Sequence, residues 1–252
     1  DLYYSTIQDA VDGADPGDDI SVSSGTYNET VILKKSLNLS GAGCGLTIWK
    51  GTAITDRALV ISRDAGMPDD VHVEITGFSF ETENNQTLRG DWSTGYTEEL
   101  TLDIHGNCFK HVNTRNPGTD FALWVDGANQ VVRGATGALR IYDNLFDVVT
   151  GGVLFEQCRA VDVLENTFNV TYEAVKFNYV GSSATSYGDE LVSRNTFTHV
   201  PVAWAFAINN YHYGSGTYTM LPTTVSNNIF TSTGFTYAVA YGIEVSQSGT
   251  HM

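Results

Sequence analysis

Basic residues are scarce in this 252-residue chain: 13 Lys and Arg stand against 29 Asp and Glu, a net charge of −16. Such a field repels polyanions at long range, which argues against nucleic acid as a partner. It also disfavours uronate polymers, unless a bound cation reverses the local sign. Cysteine is scarce too. Cys44, Cys108 and Cys158 lie far apart with no Cys-x-x-Cys spacing, so neither a disulfide scaffold nor a zinc site is expected. Two readings stay open for them. One pair closes and leaves a thiol for an intermolecular bond, or all three are small buried residues of a core. No run approaches the roughly 20 apolar residues that span a bilayer. No basic–apolar leader opens the chain at Asp1-Leu2-Tyr3-Tyr4, which would be a processed start if the protein is exported. Hydrophobic residues, by contrast, make up 42% of the chain, with 12 Phe, 13 Tyr and 4 Trp. That content is too high for a disordered chain and suits one large domain.

A repeat organises the chain. The pattern β-branched, x, x, Asn, x, Phe occurs at Ile104…Asn107-Cys108-Phe109, Ile141…Asn144-Leu145-Phe146 and Val163…Asn166-Thr167-Phe168. It recurs at Val192…Asn195-Thr196-Phe197 and Val225…Asn228-Ile229-Phe230, and an earlier copy, Ile75 to Phe80, lacks the Asn. A second short strand follows, as in Gly152-Val153-Leu154-Phe155, Ala174-Val175-Lys176-Phe177 and Ala203-Trp204-Ala205-Phe206; Ala122 to Val125 and Ala238 to Tyr241 resemble it. The spacing is irregular, which a β-solenoid tolerates and a helical repeat does not. Two or three strands per turn predict an all-β, single-domain parallel β-helix over 1–252, with a cap at 1–18, coils at 19–245 and a tail at 246–252. Ile75, Ile104, Ile141, Val163, Val192 and Val225 then stack, as do Phe80, Phe109, Phe146, Phe168, Phe197 and Phe230. Asn107, Asn144, Asn166, Asn195 and Asn228 form a structural ladder at a bend, where Asn tolerates a left-handed backbone.

Upstream, Ile7, Ala10, Val11 and Ala14 have helical spacing, with Ser5 or Thr6 as N-cap, and Pro16-Gly17 ends the helix. Strands follow at 19–22, 31–33, 37–39 and 46–49, with a turn at Gly25-Thr26-Tyr27. The run from Ser5 to Gly43, with its "Gly-Asp-x-Ile-x-Val" and "Gly-Thr-Tyr-x-Glu" segments, resembles the opening of pectin-lyase-like right-handed parallel β-helix proteins. That superfamily is abundant in secreted bacterial and archaeal surface proteins. It holds lyases, hydrolases, esterases, tailspikes, adhesins and surface-layer or sheath subunits, so the resemblance implies a fold more than a function.

Stacking would assemble rows of side chains in which chemistry can reside. Just before the ladder Asn stand Asp143, Glu165 and Arg194, on coils about 4.8 Å apart. They are similar to lyase sites in which carboxylates hold Ca²⁺ and an Arg removes a proton. Three positions earlier Asp103, Arg140 and Asp162 alternate in sign, as any exposed stacked row would. His105 could serve as a base; His72, His111, His199, His212 and His251 are dispersed, without a metal-binding pair. Asp9, Asp12, Asp15, Asp18 and Asp19 lack EF-hand spacing and read as a solvated edge. Glycosylation acceptors occur at Asn28, Asn38, Asn85 and Asn169. The 81–99 segment, with Trp92 and Tyr96, and the Tyr/Gly/Ser/Asn loop 209–218 suit carbohydrate or subunit contacts. No C-terminal capping helix is legible, and an open solenoid end is a template for strand addition. The leading expectation is an extracellular, self-associating envelope subunit of a surface layer or sheath. The alternative is a secreted polysaccharide-active enzyme, a Ca²⁺-assisted lyase or a glycoside hydrolase.

Overall fold

The computed structural model describes residues 2–52, 57–62, 71–82, 87–91, 100–111, 121–126, 139–148, 151–156, 158, 160–170, 173–180, 190–199, 206–213, 223–232 and 243–248. Within them the chain is an all-β parallel β-helix: three eight-stranded sheets, every pairing parallel, each sheet taking every third strand in chain order. Eight coils result, and each contributes one strand per sheet. The first sheet comprises Asp19–Val22, Leu37–Gly41, Val71–Thr76, Leu100–His105, Leu139–Tyr142, Val161–Leu164, Glu190–Ser193 and Thr223–Ser226. The second comprises Gly25–Asn28, Thr47–Lys50, Ser79–Thr82, Cys108–His111, Leu145–Val148, Thr167–Val170, Thr196–His199 and Ile229–Ser232. The third comprises Val31–Leu33, Leu59–Ser62, Leu88–Asp91, Phe121–Asp126, Gly151–Glu156, Glu173–Val180, Phe206–Tyr213 and Ile243–Ser248. Gly25–Asn28 is thus a strand rather than a turn, because Gly25 to Asn28 pair in register with Thr47 to Lys50.

Alternation within each strand sends one set of side chains inward, and in-register pairing puts like upon like. Phe80, Phe109, Phe146, Phe168, Phe197 and Phe230 stack at centroid spacings of 4.7–5.2 Å. Trp49 extends the stack at 5.4 Å from Phe80. The five from Phe80 to Phe197 are wholly buried, each stabilising by about 1.5–3 kcal/mol relative to exposure. The interior turns polar near its far end, where Glu190 and Asn210 are buried and Thr223 joins them by hydrogen bonds.

At the bend between the first two sheets, Asn144 and Asn166 show the repeating chemistry. The Asn144 backbone N–H and Nδ2 both donate to Asn166 Oδ1 at 3.0 Å, and Nδ2 also donates to the Ile104 and Tyr142 carbonyls. The same pattern joins Asn107 to Asn144, Asn166 to Asn195 and Asn195 to Asn228. The ladder starts at Asn107, whose Oδ1 accepts from the Phe78 N–H. There Gly41 and Gly77 let two coils approach: a Cβ on Gly41 would lie 2.4 Å from the Gly77 oxygen.

The helix, Ile7–Gly13, covers the first coil with Ile7 and Val11 buried. Thr6 caps it, its Oγ1 accepting from the Asp9 N–H. Glu29 accepts from the Ile7 and Gln8 N–H groups at 2.9 and 3.0 Å, so the glutamate of the Gly-Thr-Tyr-x-Glu segment satisfies donors that the helix leaves open. Gln8 accepts from the Ile32 N–H and donates to its carbonyl, taking the place of a strand along an edge.

Candidate functional site

Asp143, Glu165 and Arg194 are brought together on adjacent coils, but as a turn device. Their φ values are 54°, 58° and 59°, in the same row as Gly77, Gly106 and Asn227. The left-handed residue of the bend is therefore the one before the ladder Asn, not the Asn itself. Arg194 Nε donates to Glu165 Oε1 at 2.6 Å, with both side chains about half exposed. An arginine held by a carboxylate in open solvent is poorly set up as a base. Among the described residues, no group of three or more His, Cys, Asp or Glu is placed to hold a metal ion. In the Asp143–Glu165–Arg194 row the Glu165 carboxylate is engaged by the Arg194 guanidinium.

The row beneath is also paired internally. Arg140 makes a bidentate contact with Asp103 and faces Asp162 in register. The hydrogen bond that the guanidinium donates to Asp103 is the chief reason that it holds its proton more tightly than usual. His105 meets Glu74 at 2.9 Å and stacks on Tyr142 at 4.6 Å. Of the remaining histidines, His72 is exposed; the side chains of His111, His199 and His212, and all of His251, lie outside the described residues. At the helix end Asp9, Asp12, Asp15, Asp18 and Asp19 are exposed; Asp18 accepts from the Asp15 N–H and Asp19 from Asn38.

Cys44 and Cys108 form a disulfide with Cα atoms 5.6 Å apart. Cys158 is buried, its thiol donating to the Val125 and Glu156 carbonyls, so it is enclosed rather than presented for an intermolecular bond. Of the acceptor asparagines, Asn28 is exposed, Asn38 donates to Asp19 and Asn169 to Asp147. Asn85, Trp92, Tyr96, 203–205, 214–218 and 238–241 lie outside the described residues.

The third sheet carries a different constellation on its outer face. Asp91, Asp126 and Glu156 end successive strands and face one another in register, and Asn178 continues the column. Beside it runs the column Arg89, Trp124, Leu154, Lys176 and Asn209. The Arg89 guanidinium lies 4.2 Å over the Trp124 ring and donates to Asp126 at 2.8 Å. Asn178 donates to Glu156 Oε1 at 2.6 Å. The Trp124 indole N–H is close enough to favour the Glu156 carboxylate, yet it is out of hydrogen-bond alignment. Burial raises both carboxyl groups: Asp126 rises against the pull of Arg89, and Glu156 against its bond from Asn178.

Buried polar atoms without a hydrogen-bond partner concentrate on this sheet. Arg89 Nε, Trp124 Nε1, Glu173 Oε2, Asn178 Oδ1, Asn209 Oδ1 and Asn210 Oδ1 belong to it, leaving Ser79 Oγ elsewhere among the described residues. Glu173 Oε2 faces Lys176 Nζ at 3.0 Å without hydrogen-bond alignment. Four of these atoms, Arg89 Nε, Trp124 Nε1, Asn178 Oδ1 and Asn209 Oδ1, lie on the outer face, whereas Asn210 is turned to the interior; buried polar atoms without a protein partner call for an explanation. Reading the sequence missed these carboxylates. The repeat windows ended at Val125 and Phe155, one residue short of Asp126 and Glu156, and the unequal loops between coils hide the column. The usable signal was an acidic residue closing an alternating apolar strand.

No known protein family matches the chain, and no curated protein matches it significantly.

Proposed function

We propose that this chain is a secreted carbohydrate-active β-helix that hydrolyses a glycosidic bond on the outer face of its third sheet. The observation that carries the reading is the in-register column Asp91–Asp126–Glu156 beside the Arg89–Trp124 pair. Two carboxyls in different surroundings divide acid and base roles. Glu156, pushed up by burial and bonded by the neutral amide of Asn178, is the proton donor to the glycosidic oxygen. Asp126, bonded to the Arg89 guanidinium, is the carboxylate that activates water or attacks the sugar. Its neighbour across one coil step lies about 4.8 Å away along the backbone. Trp124 holds Arg89 in place by its ring face, and Asp91 completes the field.

Two further features support this reading. The likeness of residues 5–43 to pectin-lyase-like proteins agrees with a carbohydrate role. The Cys44–Cys108 bond agrees with an oxidising, extracellular compartment.

The test is release of new reducing ends from a panel of neutral and acidic polysaccharides. Glu156→Gln and Asp126→Asn should each lower turnover by at least about 100-fold with unchanged melting curves, while Arg194→Ala remains active. Turnover that survives both amide substitutions and falls with Arg194→Ala would place the chemistry at the bend instead.

The self-associating envelope subunit is the second reading. Ile229 and Phe230, 58% and 41% exposed on the eighth coil, favour it as an apolar surface that a further coil or a second copy could cover. Electron microscopy with and without reductant tests it: ordered sheets or filaments support assembly, and discrete monomers oppose it.

A further inference from the structure

Two of the unpartnered atoms share one chemistry and one place. Asn178 Oδ1 and Asn209 Oδ1 are both amide acceptors, on the sixth and seventh coils of the third sheet, next to Glu173, whose Oε2 is held by the Lys176 ammonium. Glu173 and Asn209 are 2% and 5% exposed. The amides cannot be relieved by turning over. Asn178 Nδ2 already donates to Glu156, and Asn209 Nδ2 donates to Glu173 Oε1 at 2.5 Å. An ionised carboxylate accepts and cannot donate, so the Asn209 oxygen faces away from Glu173, and the Asn178 oxygen faces away from Glu156 whenever Glu156 has given up its proton. Lys176, beside Glu173 at 3.0 Å, is balanced by that carboxylate and leaves no surplus positive charge for an anion. Leu154, on the coil between Trp124 and Lys176 in the same column, is apolar. Such a surface asks for hydroxyl donors on an uncharged, partly apolar ligand.

We infer that Glu173, Lys176, Asn178 and Asn209 form a binding subsite for neutral sugar units, one to two coils beyond the Asp126–Glu156 pair. From Trp124 to Asn209 is three coil steps, about 14 Å, so the substrate is a linear neutral oligosaccharide or polysaccharide lying along the solenoid axis. This inference rests on the carbohydrate reading above and adds to it the substrate class and the residues that hold it.

Calorimetric titration of the Asp126→Asn protein tests the subsite without turnover. The probes are the hexasaccharides and disaccharides of β-1,4-linked glucose, xylose and mannose, with hexagalacturonate as the anionic comparison. At least one neutral hexasaccharide should bind tenfold or more tighter than its disaccharide and tighter than hexagalacturonate. Asn178→Leu and Asn209→Leu, added to that protein, should each raise its Kd by roughly three- to tenfold. Thermal melts show whether each variant is folded, and Asn178, less buried than Asn209, is the site where substitution perturbs packing least.

The inference is overturned if no neutral hexasaccharide binds, if hexagalacturonate binds tightest, or if folded leucine variants bind like their parent. The outcomes separate it from hydrolysis. Asn-dependent binding with no cleavage by the unmodified protein keeps the subsite and removes the acid–base pair. Cleavage with binding indifferent to both asparagines does the reverse.

Discussion

At the bend, Glu165 and Arg194 hold φ near +58° and +59°, a conformation that costs an L-residue roughly 1–2 kcal/mol. Gly77 and Gly106 occupy the same row on other coils, so the position is set by backbone shape before any side-chain chemistry. Replacing Glu165 or Arg194 by Gly should leave stability unchanged or raise it by up to about 1 kcal/mol, since the half-exposed ion pair that is lost contributes little. Urea titration checks this; a loss above about 2 kcal/mol would mean that the pair itself holds the turn. The next residue behaves oppositely. Asn166→Ala removes bonds to the Ile141 and Leu164 carbonyls and leaves Asn144 donors buried without an acceptor. A cost of about 2–4 kcal/mol is expected. Asn228→Ala, at the less buried end of the ladder, should cost less than half as much in the same titration. The ladder was legible because Asn recurs at fixed spacing beside Phe. Its left-handed neighbour was not, because a turn can demand a backbone angle without demanding one residue type.

Elements are tied together by a small number of long-range links. The disulfide joins the turn before Thr47–Lys50 to the strand Cys108–His111 over a separation of 64 residues. Closing a loop of that size stabilises by about 4 kcal/mol in the chain-entropy view. Cys44→Ser should therefore lower the melting temperature substantially, and reductant should do the same to the unmodified protein. Cys158→Ser, which keeps volume and a donor, should shift it only slightly. The end strands of the third-sheet site carry their own pH signature. Burial lifts Asp126 and Glu156 above the ordinary carboxylate range, so the unfolded chain gives up these protons first. Their contribution to stability is fully present below about pH 4 and is lost as pH rises through the raised values. The double amide variant, Asp126→Asn with Glu156→Gln, should flatten that fall in melting temperature measured against pH. An unchanged slope would show that burial does not raise the two carboxyls. Element boundaries followed the sequence where apolar alternation is clean, as in Asp19–Val22 and Val31–Leu33. They departed from it at Gly25–Asn28, whose glycine and polar residues resemble a turn although the strand pairs over its whole length.

Across the whole molecule, stacking turns a sequence repeat into rows, and a row's meaning depends on which face it occupies. The repeat exposes the row at the bend, because the Asn-x-Phe signature aligns it coil by coil. That row is governed by backbone geometry. The third-sheet face is aligned only by pairing in space, since Asp91, Asp126 and Glu156 are separated by loops of unequal length. Core and architecture were thus legible from composition and period, whereas the acidic column emerged only once the coils were in register. On the proposed reading the chemistry belongs to that column and turn structure to the bend, and one comparison separates the two. Reducing-end release by the unmodified protein, Glu156→Gln and Arg194→Ala should be measured on the same neutral polysaccharide panel. The account predicts turnover that is lost in Glu156→Gln and kept in Arg194→Ala, with all three proteins melting as folded chains. Equal turnover in the unmodified protein and Glu156→Gln, or none in any protein on any neutral substrate, would contradict it.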